Sequence, residues 1–285
     1  MVVLPRETSK IPKFLAKGGD AIIGQEKTIM FKNAIVRPPA KTFNQGLTTA
    51  QFGSPDFELA LAQHELYCIA LQKCGVELIR LEAEENYPDS TFVEDVAVLI
   101  RGAAILSNPG AQSRKGEVMA MRTVLGRYFQ KMYTITPPGT LDGGDICEAG
   151  HHFFIGISER TNEEGGRQMA EFLKNEGFTS SSVQVAGIPG ILHLKSGLTF
   201  LGNNRLVLID AFAGLPQFKE YDVFRVDEAE NYAANCVWVN DHLLMAKGYP
   251  KLRQSLVHHG YQVLSLDMSE YRKMDGGLSC LSLRF

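Results

Sequence analysis

The strongest constraint on this fold is a recurring unit: two short apolar runs joined by a tight turn, then an amphipathic stretch, then one more apolar run. The paired runs span 95–107, 145–158, 197–209 and 235–247, turning at Arg101-Gly102, Ala149-Gly150-His151, Gly202-Asn203-Asn204 and Asn240-Asp241. Gly, Asn and Asp tolerate the left-handed backbone of short hairpin loops, so each segment reads as a β-hairpin. A fifth pair is expected to form non-locally, with 278–285 closing against the early run 34–37.

Helices are predicted over 56–73, 114–130, 163–175 and 250–258, with a weaker one near 211–220. In the first, Leu59, Ala62, Leu66, Ile69 and Ala70 share one face at helical spacing. Ser54-Pro55-Asp56-Phe57 and Ser113-Arg114-Lys115 look like helix starts, and Gly75, Gly177 and Gly260 like stops. Strands are expected at 76–81, 133–136, 183–186, 222–226 and 262–266. Such a series predicts a closed, radially repeated α/β arrangement rather than a doubly wound sheet. In a ring, loops far apart in sequence meet on the axis. Residues 1–30 show no clean period and read as an N-terminal extension to a catalytic domain over 31–285.

Composition excludes several classes. A net charge of −3 gives no reason to expect nucleic acid or an anionic membrane as partner. Apolar runs such as Val96–Ile100 are far shorter than the roughly 20 residues that span a bilayer. No signal peptide is expected at the start, and five irregularly spaced cysteines form neither a disulfide framework nor paired zinc knuckles. A reducing, cytoplasmic setting is expected.

Four segments could carry chemistry. In Asp275-Gly276-Gly277-Leu278-Ser279-Cys280, a tight loop feeds a strand, which can hold the Cys280 sulfur rigidly as a nucleophile. Pro88–Asp95 puts Asp89, Glu94 and Asp95 on one loop; such a cluster suits a planar guanidinium, although a solvated acidic turn or a divalent cation is also open. Gly139-Thr140-Leu141-Asp142-Gly143-Gly144-Asp145 is either an acidic hairpin start or a place where backbone closely approaches a ligand or another loop. His193, in Leu192-His193-Leu194-Lys195-Ser196, is either a satisfied core side chain or a catalytic base. Arg160 could grip a carboxylate or merely solvate its loop.

Taken together, PDSTFVEDVAVL, TLDGGD, FFIGISERTN, LHLKS, AANC and DGGLSCLSL resemble the dimethylarginine dimethylaminohydrolases. These belong to the guanidine-modifying superfamily of arginine deiminases and amidinotransferases. The similarity runs from about Ala34 to Phe285. It implies a five-bladed, pseudo-symmetric α/β propeller of the pentein type. It makes Cys280 the nucleophile, His193 the general acid and base, and Asp142 the residue orienting His193. Asp89, Glu94 and Asp95 match the family's acidic substrate loop, Asp275 with neighbouring Met274 a further stretch at the substrate, and Arg160 an arginine gripping the amino-acid end. Leu47, in Asn44-Gln45-Gly46-Leu47, falls at the family's mobile lid. Asn108 stands where the family often has a second substrate-contacting arginine, which weakens the case for a free α-carboxylate.

The expected reaction is hydrolysis of a guanidinium C–N bond in Nω-methylated arginine, through a thiouronium on Cys280, to citrulline and methylamine or dimethylamine. It needs neither metal nor organic cofactor. The competing readings are an arginine or agmatine deiminase, an amidinotransferase, or a non-catalytic propeller binding protein. Agmatine, lacking a carboxylate, would suit Asn108. Oligomeric state stays open.

Overall fold

Left-handed turn residues close the hairpins where the sequence placed them. Gly102, Asn203, Asn204 and Asn240 have φ of 89°, 47°, 59° and 52°, and Gly150 of 69°. The computed structural model describes residues 30–285; the extension expected over 1–30 lies, apart from its last residue, outside the described residues.

The chain opens with β1 (Asn33–Val36), α1 (Phe57–Lys73) and β2 (Glu77–Arg80). Next come β3 (Ala97–Ile100), β4 (Ala103–Leu106), α2 (Glu117–Leu125) and β5 (Met132–Thr134), then β6 (Ile146–Ala149), β7 (His152–Ile157), α3 (Glu163–Asn175) and β8 (Thr179–Gln184). The fourth unit holds β9 (Leu198–Phe200), β10 (Arg205–Ile209), a short α4 (Asp210–Ala213) and β11 (Asp222–Val226). The fifth holds β12 (Val237–Val239), β13 (His242–Ala246), α5 (Pro250–His258) and β14 (Gln262–Leu266), followed by α6 (Ser269–Arg272) and β15 (Leu283–Arg284).

Among the described residues these strands form five three-stranded sheets. In four, a hairpin pairs antiparallel and the strand after the helix adds in parallel, as in β3-β4-β5. The remaining sheet is β15-β1-β2, with Ala34 opposite Arg284 and Ile35 opposite Leu283. The non-local fifth pair is therefore present, and the five blades make the expected α/β propeller. Central strands β4 and β13 are almost wholly buried, because each lies between two strands and under a helix or neighbouring blade. No helix among the described residues is long and apolar enough to cross a membrane.

Three local expectations need correction. The face of α1 chosen by apolar spacing is largely the outer one: Leu59, Leu66 and Ile69 are 43, 53 and 51 % exposed, and Ala62 is exposed too, while Ala70 is buried. The inner face carries Ala60, Gln63, His64, Tyr67, Cys68 and Leu71. Two of its polar members are paired inside: Gln63 donates to Ser269 Oγ at 2.8 Å and accepts from the Glu270 amide, and the Tyr67 and Ser282 hydroxyls pair at 2.7 Å. Hydrogen bonding thus removes the penalty that hydrophobic periodicity assumes. The strand expected at 183–186 begins earlier, at Thr179, because a Thr-Ser-Ser-Ser run on an outer edge strand has no apolar alternation to reveal it. The helix expected over 114–130 is shortened to Glu117–Leu125, preceded by a 3₁₀ turn over Gln112–Arg114.

One shared detail positions the site. The innermost strand of each blade is entered through a 3₁₀ turn: Val93–Val96, Gly143–Asp145, Leu194–Ser196, Glu228–Ala234 and Ser279–Leu281. Five equivalent corners therefore gather around the axis.

Candidate active site

Those corners and the loops beside them form a cleft. It is lined by Leu47, Asp89, Asp95, Asp142, Arg160, His193, Met274, Asp275 and Cys280, together with Phe92 and Arg114. Of the residues picked out by sequence, Glu94 alone is not in the lining. Thiol, imidazole, carboxylates and guanidinium thus converge from separate blades.

His193 is 6 % exposed, and its Nε2 lies 3.1 Å from Asp142 Oδ2. Asp142 Oδ1 accepts the Gly110 amide at 2.9 Å, which fixes the carboxylate plane. The paired glycines do allow close backbone approach, here to another loop. A Cβ on Gly144 would lie 2.8 Å from the His193 ring and 2.9 Å from Asp95 Oδ1, and one on Gly143 would collide with the Glu94 carbonyl. Burial disfavours the charged imidazole, but Asp95, the Asp142 hydrogen bond and Asp145 outweigh it and raise the His193 pKa to about 9. His193 is therefore protonated at neutral pH in the empty site. The partner effect holds Asp142 below its ordinary value: burial alone would raise it, and the bond and charge of His193 prevail.

The Cys280 thiol is pushed up to about 12, first by burial and then by the charges of Asp95 and Glu94. At neutral pH it is therefore a neutral thiol. Its loop is fixed by Asn235, whose Oδ1 accepts the Ser279 amide at 3.0 Å while Nδ2 donates to Lys195 O at 2.9 Å and Ser279 Oγ at 3.0 Å. Asn235 follows the fourth of the five corner turns, so the Cys280 loop and the His193 loop share one amide.

The three acids of the Asp89–Asp95 loop have different surroundings. Glu94 lies beneath the cleft, 2.7 Å from Lys195 Nζ and 3.4 Å from Arg284 Nη2, and accepts the Ser279 hydroxyl at 2.8 Å. Asp95 binds Arg114 Nη1 at 2.5 Å and accepts the Gly144 amide at 3.2 Å. Asp89 accepts the Leu47 amide at 3.0 and 3.2 Å, and burial raises its pKa. Leu47 itself is 41 % exposed at the mouth. The same mouth segment is tied to Asp275, which has φ of +55° and accepts the Thr49 amide at 2.5 Å and the Thr49 hydroxyl at 3.0 Å.

Sequence reasoning missed Arg114, which it read only as part of a helix start. Its guanidinium is 5 % exposed, forks onto Glu117 at 3.0 and 2.9 Å and donates to the Asp89 and Phe92 carbonyls. A lone Arg in a polar triplet carries no periodic signal. Asn108, by contrast, takes a structural place: its Nδ2 donates to Gly139 O at 2.6 Å, and its backbone bridges to Leu141. The cleft therefore has two arginines, Arg114 and Arg160, despite that asparagine. Carboxylate and imidazole atoms of Asp95, Asp142 and His193 lie within 4.8 Å of one another, so these residues could also hold a metal ion.

Chemically, the arrangement offers a buried thiol, a protonated imidazole with its own carboxylate, and acids to hold a cation beside the sulfur. Comparison with known proteins points the same way. Residues 55–212 match the profile of the family described as N,N dimethylarginine dimethylhydrolase, eukaryotic. The chain is 44 % identical over 257 residues to the N(G),N(G)-dimethylarginine dimethylaminohydrolase of Pseudomonas aeruginosa, covering 90 % of this chain and all of that one. It is 32 % identical to the enzyme of the same name from Streptomyces coelicolor, covering 89 % of this chain and 96 % of that one. The crystal structure of a cysteine-to-serine variant of the Pseudomonas aeruginosa protein with citrulline superposes with a TM-score of 0.88 at 43 % identity, over 90 % of this chain and all of that one. A dimethylarginine dimethylaminohydrolase histidine-to-glycine variant carrying an S-methyl-L-thiocitrulline adduct gives 0.87 at 44 % identity, with the same coverage. Corners, cleft and kinship agree, and the chain belongs to the dimethylarginine dimethylaminohydrolase family.

Proposed function

We propose that this protein hydrolyses Nω-methylated arginine to citrulline and methylamine or dimethylamine, with Cys280 as nucleophile. The observation that carries this reading is the meeting of the Cys280 thiol, the His193–Asp142 pair and the acids Asp89 and Asp95 in one cleft. Relatives crystallised with citrulline and with a thiocitrulline adduct support it.

The electrostatics give an order of events. In the empty site the thiol is neutral and the imidazole charged. A guanidinium held against Asp89 and Asp95 brings positive charge beside the sulfur, lowers the thiol pKa and releases its proton to solvent. The thiolate attacks the guanidinium carbon. His193, already protonated, gives its proton to the departing amine, which could not leave as an amide anion at neutral pH. A thiouronium remains on Cys280. Neutral His193 then takes a proton from water as it attacks, and the thiolate leaves to free the ureido product. Asp142 keeps the ring oriented through both proton transfers.

Arg160 grips the substrate carboxylate, with Arg114 holding the acidic loop beside it. Since the Arg114 guanidinium is engaged by Asp95 and Glu117, the preference for an amino acid over agmatine rests on Arg160. Leu47 and its neighbours cover the mouth once substrate is bound. All five cysteines are free, in keeping with a reducing cytoplasm, which we propose as the compartment.

Incubation with dimethylarginine, monomethylarginine, arginine and agmatine, with products identified by mass, tests the reading. Citrulline and a methylated amine are expected from the first two. Turnover of arginine or agmatine alone, with ammonia released, would replace the reading with a deiminase.

A further inference from the structure

Asp145 has no place in the chemistry above, yet it is 0 % exposed at the corner between the Asp142 loop and β6. Its Oδ1 accepts the Leu194 amide, next to His193, at 2.9 Å. Its Oδ2 accepts two hydroxyls, Ser158 Oγ and Thr161 Oγ1, each at 2.7 Å. Those hydroxyls are themselves acceptors. Ser158 Oγ takes the amides of Arg160 at 3.0 Å and Thr161 at 3.1 Å, and Thr161 Oγ1 takes the amide of Asp142 at 3.1 Å. Space has been cleared for this arrangement. A Cβ on Gly156 would sit 2.7 Å from Asp145 Oδ1 and 2.8 Å from Leu194 Cβ.

Hydrogen-bond polarity makes the carboxylate specific. A hydroxyl has one proton. Ser158 and Thr161 each spend theirs on Asp145 because backbone amides already occupy their oxygens. An amide side chain of the same size could not serve: its oxygen satisfies either Leu194 or the hydroxyl pair, and its NH₂ meets groups that need an acceptor. Resting on the roles of His193, Asp142 and Arg160 set out above, we infer that Asp145 is a positioning residue that locks all three loops in one register. Through Leu194 it sets the imidazole, through Thr161 the carboxylate that orients it, and through Ser158 the arginine at the far end of the substrate. Its own negative charge adds to the field that keeps His193 protonated.

The branches predict separable effects. Asp145→Asn should lower kcat roughly 100-fold, the loss expected from a displacement of about 1 Å at a catalytic group. In the same variant the His193 titration, followed by imidazole NMR without substrate, should move down from about 9 toward its ordinary range. Thr161→Val should lower kcat more than it raises KM, since its branch ends at Asp142. Ser158→Ala should raise KM more than it lowers kcat, since its branch ends at Arg160. A folded Asp145→Asn variant with parental kcat, KM and His193 titration overturns the inference. So do Ser158→Ala and Thr161→Val variants that change thermal stability alone or the same kinetic constant. If Asp145→Asn does not fold, the Ser158 and Thr161 split decides. If the parent turns over no methylated arginine, the functional reading fails, and the substrate-free titration still decides the role of Asp145 toward His193.

Discussion

In the proposed chemistry the pair of Cys280 and His193 departs from a resting thiolate–imidazolium pair at the sulfur alone: the imidazole is protonated, and so is the thiol. Burial and two flanking carboxylates keep the sulfur protonated, so neutral iodoacetamide should alkylate Cys280 slowly at pH 7. A cationic haloacetamidine should react much faster, because its charge supplies what the empty cleft lacks. Rates measured by intact mass in parallel incubations would decide; equal rates would place the thiolate in the free protein. Cys280→Ser should abolish turnover with unchanged near-ultraviolet circular dichroism, and His193→Gly should lower kcat by 10²–10⁴-fold while substrate still binds. Both side chains were legible because the residue types demanded by the chemistry stand inside distinctive motifs. Arg114 was not. Its importance comes from Asp95, Glu117 and two backbone carbonyls folded around it, and only Glu117 is near it in sequence. Arg114→Met should cost about 3–5 kcal/mol by leaving buried carboxylates unpaired, measured by urea unfolding.

The hairpins were readable because their turns need left-handed residues, and few residue types supply that conformation. α3, α5, β11 and β14 fall on the expected residues for a similar reason: period and punctuation agree in Glu163–Asn175 and Pro250–His258, and strands close the units after them. α1 shows where such reading fails. Apolar spacing identified a helix and then the wrong side of it, since Gln63 and Tyr67 find partners inside while leucines face outward. Leu66→Gln should therefore change unfolding free energy by no more than about 0.5 kcal/mol. Leu71→Ala, on the inner face, should cost about 2–5 kcal/mol. Chemical denaturation of the two variants checks the assignment of faces, and reversed costs would restore the expectation from sequence. The corner turns were invisible as a set, since Val-Glu-Asp-Val, Gly-Gly-Asp, Leu-Lys-Ser and Ser-Cys-Leu share no residue pattern; only the fold makes them equivalent.

For the molecule as a whole, the His193–Asp142 contact is also a tie between two blades, and it makes stability depend on pH. The His193 pKa rises on folding from 6.5 to about 9, so the folded state binds the proton more tightly. The associated stabilisation is complete below pH 6.5 and disappears as pH climbs through 9. Melting temperature should fall across that window in the parent and more shallowly in Asp142→Asn. The cleft thiol sits at another seam. Cys280 lies two residues before Ser282, whose hydroxyl meets Tyr67 of α1, and just ahead of β15, which docks on β1 beside Ile35. Reactive chemistry and circular closure are consequently one event: should β15 peel from β1, the sulfur leaves its acids at the same moment. An opened ring is thereby disarmed, and labelling of this one thiol by a guanidine-shaped reagent would count closed molecules in a refolding mixture.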